Sequence, residues 1–556
     1  MEAKFVKMEA ILLKVFVLST LVETNIALFP KVCLPSEIFA SKECCPVPEG
    51  YEDKCGGPDR GYCNDIVVNI VDSTDGFTGD FDRFQWPTTF FNRSCKCLGN
   101  FDGPDCSDCK FGWSGKNCTN QTTRIRRNIL KMTVEEVEQF KLYLIKAKNT
   151  ISDYMVPTTL YRNMDDDTQP MFTEISVYDL YTWYHYYVSR DNIRGTSKAN
   201  TSIHDVTADF AHGGPGFPTW HRYFMLLWER ALQKVSNNEE FALPYWDWAG
   251  ELNCTICTDT YFGKSTDSLH NFTVTGTFAN WPAICYDFEN LTQHGELCSN
   301  TRPSLNTPRI QRNPGGNESP ELQVLPSKEA VYYALSLTDY DVIPTNYVPV
   351  YNNWTHSPCS FRNVLEGFGD SENQTGLPRV HQLHNQVHIY LNGTMSDVPI
   401  APNDPIFILH HSNVDRIFEK WLRRHNVTAD QFPDTSTPLG HNRYSYMVPF
   451  FPERTHSDFF KNADHFGYDY DDIDEFGLPL DPVEREREIT AVSQMKKCTL
   501  SNNDPGNTDK IIWFISGLFF AAIAVLVIVS INCVRRRRRR NYHRFTRDDE
   551  ITDISM

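Results

Sequence analysis

Ten of the chain's 17 cysteines fall between Cys33 and Cys118, and no other feature narrows the possible folds as far. A segment this short buries too little apolar surface to hold together on packing alone, and cysteines at this density supply cross-links instead. Such bridges need an oxidising compartment, so the chain is expected to fold in the secretory pathway. Four more cysteines, Cys254, Cys257, Cys285 and Cys298, make a second cluster, and Cys359, Cys498 and Cys533 stand apart.

Both ends agree with that compartment. Residues 1–28 open with lysines, run through Ile11-Leu12-Leu13-Lys14-Val15-Phe16-Val17-Leu18 and end in small and polar residues, the pattern of a signal peptide. The 21 residues Ile511–Ile531 carry no charge and are long enough for a helix across a hydrocarbon layer of ~30 Å. Arg535–Arg540 follow at once, and positive charge stays on the cytosolic side. The expectation is a single-pass type I membrane protein with a lumenal body, a stalk at 481–510 and a cytosolic tail at 532–556. Twelve Asn-x-Ser/Thr sequons fit a glycosylated lumenal surface: Asn92, Asn117, Asn120, Asn200, Asn253, Asn271, Asn290, Asn317, Asn353, Asn373, Asn392 and Asn426. The net charge of −18 conceals a basic tail with eight arginines and four acidic residues, so the body is more acidic still. An acidic body repels phosphate backbones, which excludes nucleic acid as a partner.

Inside the body the texture is helical from Thr133. Thr133-x-x-Glu136 is a capping-box pattern, followed by Val134, Val137, Phe140 and Leu144 at three- and four-residue spacing. Further helices are expected over Glu174–Ser189, Pro218–Val235, Val380–Leu391 and Pro405–His425, separated by stretches rich in Pro, Asn, Ser and Gly. The stretch from Cys95 to Cys118, with Phe101, Phe111 and Trp113 between its cysteines, reads as an EGF-like module serving as a contact surface or a spacer. The fold class is mainly α: a helical bundle with long irregular loops, preceded by a disulfide-rich module at 29–120 and followed by one transmembrane helix.

Six of the 17 histidines stand out. His384 and His388, four residues apart, share a helix face, and His411 follows on the next helix. Earlier, His212 lies in a Gly/Pro loop, His221 in the first turn of a helix, and His185 in the preceding aromatic helix. Each piece alone is weak, but two triplets, each drawn from two helices, suggest a binuclear centre. Three neutral imidazoles per ion suit Zn, Cu, Fe or Ni.

The segments WYHYYVSRD, DFAHGGPGFPTWHRYFMLLWE, LPYWDWAG, FRNVLEGFG, LHNQVHIYLNGTMSD and NDPIFILHHSNVDRIFEKW resemble the animal tyrosinase family, and CLGNFDGPDCSDCKFGWSGKNC resembles that family's N-terminal EGF-like segment. The resemblance runs from about Cys33 to residue 470. It implies a type-3 dicopper domain at 121–480, with His185, His212 and His221 on one copper and His384, His388 and His411 on the other. It implies O2 and a phenolic small molecule as substrates, with monophenols such as L-tyrosine hydroxylated and o-diphenols such as L-DOPA oxidised to o-quinones in melanin synthesis. Glu366 and Asn385 match the pair proposed in the family to hold a water that deprotonates the phenol, and Val398 and Ala401 lie where members line the substrate entrance. Asp415 and Asp247 are expected in core ion pairs with Arg222 or Arg416. His410 before His411 resembles the tyrosinases more than the related isomerases, which have an aliphatic residue there. Three alternatives remain: a zinc- or copper-dependent dopachrome isomerase or DHICA oxidase, an O2 carrier, and a non-catalytic cell-surface binding protein. Phe210 occupies the position at which molluscan carriers have a thioether cysteine. Tyr542-His-Arg-Phe545 fits a Tyr-x-x-bulky signal for sorting adaptors, implying a melanosome or related organelle.

Overall fold

The computed structural model describes residues 29–68, 83, 85–158, 172–190, 209–268, 271–286, 297–298, 301, 307–342, 360–368, 383–435 and 437–495. The signal segment, the apolar run Ile511–Ile531, the tail with Tyr542–Phe545, Asn200, Asn290, Asn353, Asn373, Cys359, Cys498 and Cys533 all lie outside the described residues. No helix among the described residues is long and apolar enough to cross a membrane.

Ten α-helices are described: α1 Ser36–Ser41, α2 Val134–Asn149, α3 Val177–Ser189, α4 Phe217–Ser236, α5 Lys328–Ser336, α6 Phe361–Glu366, α7 Leu383–Leu391, α8 Ile406–His425, α9 His456–Phe459 and α10 Pro482–Gln494. Local chemistry sets their ends. The Thr133 hydroxyl accepts from the Glu136 N–H (3.2 Å) and the Glu136 carboxylate accepts from the Thr133 N–H (2.8 Å), so both halves of the capping box form. Ser176 caps α3 by accepting from the Asp179 N–H, and the strand Phe172–Ser176 takes the first residues expected to be helical. Pro218 sits in the first turn of α4, whose end is closed by Asn237 in the left-handed region. Asn426 does the same for α8, whose last turn carries Arg423, Arg424 and His425 against the negative end of the helix dipole.

Two helices form the middle of the core. Every residue of α3 from Val177 to Val188 and every residue of α8 from Ile406 to Leu422 is buried. A helix covered all round must satisfy its polar side chains within the protein. Beneath α4 and α8 an ion network does so. Asp415 accepts from Arg222 Nε (2.6 Å), Arg126 Nη1 (3.1 Å) and the hydroxyls of Tyr468 (2.6 Å) and Tyr470 (2.7 Å). Arg222 also reaches Glu419 (3.0 Å), and Arg126 reaches Glu229 (3.0 Å). Burial alone would raise the Asp415 carboxyl, but the two guanidinium groups outweigh it and hold it below the usual range. Arg416 pairs with Asp472 and lies 3.6 Å from Asp247, so the expected core ion pairs are present.

β-structure is sparse. In the N-terminal region β1 (Glu43–Cys44) pairs parallel with β3 (Arg93–Cys97), which pairs antiparallel with β2 (Gly61–Asp65). Five disulfides, Cys33–Cys44, Cys45–Cys63, Cys55–Cys95, Cys97–Cys106 and Cys109–Cys118, staple this region, while Cys254–Cys257 and Cys285–Cys298 close the second cluster. The region is fastened to the helical body. Phe29 packs with Trp86, Phe90, Phe91 and Phe451, Trp86 Nε1 donates to the Phe450 carbonyl (2.9 Å), and buried Arg83 donates to the carbonyls of Val188 (2.9 Å) and Arg190 (3.1 Å) at the end of α3. Arg124–Arg126 pairs parallel with Tyr468–Tyr470, joining the two ends of the body. At the C-terminal side the structure differs from the expected stalk boundary. Glu488 of α10 is buried and accepts from Lys420 (2.7 Å), so the packed body continues through this helix.

Candidate metal centre

The two histidine triplets come from α3, α4, α7, α8 and one loop, and they converge. Ring centroids lie 5.0 Å apart for His185–His212 and for His212–His221, and 5.7 Å apart for His185–His221. In the other group His384–His388 is 4.5 Å, His384–His411 4.8 Å and His388–His411 5.4 Å. The groups face each other, with His221 and His411 4.6 Å apart. Within each cluster, candidate ligand atoms all lie within 4.8 Å of one another.

Most of these rings are held from behind. His221 Nδ1 donates to the Phe217 carbonyl (2.8 Å) one turn earlier on α4, and His388 Nδ1 donates to the Met395 carbonyl (2.7 Å). His384 Nδ1 faces both Asn385 Oδ1 (2.9 Å) and the Glu366 carbonyl (3.2 Å). His212 Nδ1 lies 2.9 Å from Asp209 Oδ2. With Nδ1 engaged, the Nε2 atoms of His212, His221, His384 and His388 are left with the free lone pair. Among the described residues the buried Nε2 atoms of His185, His221 and His384 have no hydrogen-bond partner, and those of His388 and His411 face each other at 3.2 Å.

Burial, then repulsion between neighbouring imidazoles, pushes His185, His221, His384, His410 and His411 well below the ordinary histidine value. Burial takes His388 down to about 4. His212 is the exception: burial would lower it, but the Asp209 carboxylate raises it. A buried unpaired acceptor costs ~1–3 kcal/mol, so several at one point are costly unless a cation receives their lone pairs. Neutral imidazoles converging in two groups of three fit a pair of borderline or soft transition-metal ions.

His410 joins the second cluster. Its ring stacks on His384 (5.1 Å), and its Nδ1 accepts from Trp248 Nε1 (3.1 Å), so it is tied to the LPYWDWAG segment, whereas His411 turns Nε2 toward His388. Glu366 is buried, with one carboxylate oxygen accepting from the Gly213 N–H (2.6 Å) and the other from Arg362 Nη1 (2.8 Å); burial, its largest influence, raises its carboxyl. Asn385 is half-buried beside His384. Val398 is 46% exposed, while Ala401 beneath it is fully buried, in a segment fixed to α3 by the Tyr178 hydroxyl on the Pro402 carbonyl (2.9 Å). Phe407 stacks on His411 (3.9 Å) and Phe217 packs on His221 and His384 (both 4.7 Å), lining the centre with apolar rings.

Sequence reasoning missed Asp209, Trp248, His441 and His456. His441 Nδ1 accepts from the Gly216 N–H (3.1 Å) and its Nε2 donates to the Asp209 carbonyl (2.8 Å), clamping the loop that carries His212. His456 Nε2 donates to the Gly440 carbonyl (2.9 Å), and its Nδ1 lies 2.8 Å from Thr219 Oγ1. A Cβ on Gly214 would lie 2.8 Å from the His441 ring, and one on Gly216 would lie 2.5 Å from His456. The loop's glycines therefore admit these two rings. Of the sequon asparagines described, Asn92, Asn117, Asn120, Asn253 and Asn426 are exposed, and Asn317 and Asn392 are half-buried; Asn271 is described only as part of a strand.

Comparison with known proteins agrees with this arrangement. The family model described as the common central domain of tyrosinase matches residues 175–424, which span both histidine groups. The chain is 43% identical over 457 residues to tyrosinase from Gallus gallus, covering 81% of this chain and 83% of that one. It is 42% identical over 454 residues to tyrosinase from Bos taurus, covering 80% and 82%. Its identity to the 5,6-dihydroxyindole-2-carboxylic acid oxidase of Gallus gallus is lower, 37% over 459 residues, covering 80% and 83%. With that likeness running through most of its length, this chain belongs to the tyrosinase family.

Proposed function

We propose that the chain is a copper-dependent tyrosinase that hydroxylates monophenols such as L-tyrosine and oxidises o-diphenols such as L-DOPA to o-quinones, using O2, in melanin synthesis. The observation that carries this reading is the two facing groups of three histidines, with the Nε2 atoms of His185, His221 and His384 unpartnered among the described residues and those of His388 and His411 turned toward each other. His185, His212 and His221 would hold one copper, and His384, His388 and His411 the other. Copper bound there would supply the activation of O2 and accept electrons from the phenolic ring. The protein's own part is positioning and proton handling. Carbonyls behind His221 and His388 fix those rings against rotation, which keeps the ligand geometry set before any ion enters. Phe217 and Phe407 keep the space between the clusters apolar, which excludes bulk water from the reacting ring. Exposed Val398 stands at the entrance, and buried Ala401 keeps the wall behind it small. Glu366 and Asn385 hold a water that takes the phenol proton, with Arg362 and the Gly213 N–H orienting the carboxylate.

The body is lumenal and glycosylated at the sequons named above. It is held by a single helix at Ile511–Ile531 and routed to a melanosome or related organelle by adaptors reading Tyr542–Phe545. Relocation of Tyr542→Ala to the cell surface supports that route, and unchanged trafficking removes it.

The central test is to load the full chain with copper and with zinc separately and to follow L-tyrosine, L-DOPA and dopachrome. Quinone from both tyrosine and DOPA with copper alone is expected. Dopachrome conversion only with zinc would replace this reading by the related isomerase, and O2 uptake without product would replace it by a carrier. His388→Ala abolishes oxidation, and wild-type turnover there removes the ligand assignment. Glu366→Gln slows tyrosine hydroxylation more than DOPA oxidation; equal losses would remove the water-holding role.

A further inference from the structure

The six candidate ligands are chemically alike, but their supports differ. His221 and His388 lean on backbone carbonyls, and His384 leans on a carbonyl and an amide oxygen, all neutral. Among the described residues His411 has no hydrogen bond at Nδ1, and His185 has only the neutral backbone of Val398 and Pro399 beside it. Among the described residues, His212 alone has a carboxylate behind it: Asp209 Oδ2 lies 2.9 Å from its Nδ1.

Asp209 divides its two oxygens between separate tasks. Oδ1 accepts from the backbone N–H groups of Ala211 (2.8 Å) and His212 (2.9 Å), which shapes the turn leading to the ligand. Among the described residues Oδ2 serves only the ring. His441 then fixes Asp209 from the other side by donating to its carbonyl, while accepting from Gly216 beyond the ligand. His212 is therefore gripped at both ends of its loop and at its distal nitrogen, whereas His221 and His388 owe their orientation to helix geometry and a carbonyl. A carboxylate accepting an imidazole N–H fixes the tautomer and draws the proton away, making the opposite nitrogen a stronger donor to a metal.

We infer that Asp209 is a positioning residue that makes the two halves of the centre unequal: through His212 it tightens the ion held by His185, His212 and His221 relative to the ion held by His384, His388 and His411. This rests on the proposed metal-binding reading. The asymmetry is invisible in the ligands themselves, which are three imidazoles on each side.

The test is copper retention, measured without reference to turnover. The full chain and its Asp209→Asn variant are loaded with copper, dialysed against a graded series of a competing chelator, and analysed for copper per chain. Asparagine keeps an oxygen for the Ala211 and His212 N–H groups but faces the ring with an amide instead of a negative oxygen. One ion is expected to leave the variant at a ~10–100-fold lower chelator concentration than in the wild type, with the other ion unmoved. Paramagnetic resonance then shows one isolated Cu(II) per chain at intermediate chelator in the variant. Identical release curves for both ions in wild type and variant overturn this inference alone. A wild type that never holds two ions overturns the metal reading and this inference together. Asp209→Glu against Asp209→Gln repeats the comparison at equal length and decides the matter if the asparagine variant does not fold. The charged member must hold one ion at higher chelator, and equal curves overturn the proposal.

Discussion

Burying His441 and His456 as neutral rings makes the fold sensitive to acid by an amount that can be worked out. Both are fully enclosed, and burial, the largest influence on each, takes His441 down to about 4 and His456 to about 3. Asp209 raises His441, whereas Arg362 and His212 lower it; His441 in turn lowers His456, whose ring it stacks against at 6.1 Å. In the unfolded chain each returns to ~6.5. Between the folded and unfolded values the unfolded state binds more protons, so stability rises with pH there and falls on acidification. From pH ~7.5 to ~5 the loss is ~2 kcal/mol for each ring. The perturbation is His456→Gln, which keeps a donor and an acceptor for Gly440 and Thr219 but cannot titrate. Urea unfolding of the copper-free chain at the two pH values gives the drop in stability for each protein. The variant should lose ~2 kcal/mol less on acidification than the wild type, whatever it loses at neutral pH. Equal drops would refute the reasoning, because they would mean that His456 does not titrate on unfolding.

Other substitutions probe the same architecture. Gly216→Ala would press a methyl group into the His456 and His441 rings, and a loss of ~1–3 kcal/mol is expected in the melting of the metal-free protein; an unchanged melting temperature would mean the loop yields freely. Asp415→Ala leaves Arg126 and Arg222 one acceptor short, takes the acceptor of the Tyr468 hydroxyl and leaves Tyr470 with the Ser412 carbonyl, for a cost of ~3–5 kcal/mol by chemical denaturation. Because the Asp415 carboxyl is held below its usual range, its stabilisation is present above pH ~4 and disappears as the pH falls below that, so the variant should show a flatter acid limb. Arg83→Met removes the donor to the last carbonyls of α3 and should speed hydrogen exchange at the end of that helix by ~1.5–3 kcal/mol of local stability, leaving α8 unaffected.

What could be seen in the sequence was local. The spacing of His384 and His388, the Thr133–Glu136 pair and the three- and four-residue spacing of Val134, Val137, Phe140 and Leu144 each involve neighbours a few residues apart, and each lies on or caps a helix in the structure. The supports of the site are different in kind. His441 reaches Asp209 and Gly216 across more than 220 residues, and His456 reaches Thr219 across 237. The GGPGF segment announced a loop, but only the packed rings explain why two of its glycines exclude side chains. Asp209 resembled any acidic residue before a histidine until its two oxygens were placed. The stalk expected over 481–510 included the charged α10, yet Glu488 points inward to Lys420.

The parallel pairing of Arg124–Arg126 with Tyr468–Tyr470 bears on the order of biosynthesis. A ribosome releases the first of these strands long before the second, so Arg126 must leave the translocation pore with neither Asp415 nor its tyrosines yet made. Until the late strand arrives, Arg126 can meet the carboxylates of Glu229 and Asp415 but neither tyrosine, and the nascent body carries an unclosed seam. A chain stopped just short of Tyr468 would contain every candidate metal ligand and still lack the piece that locks the scaffold shut.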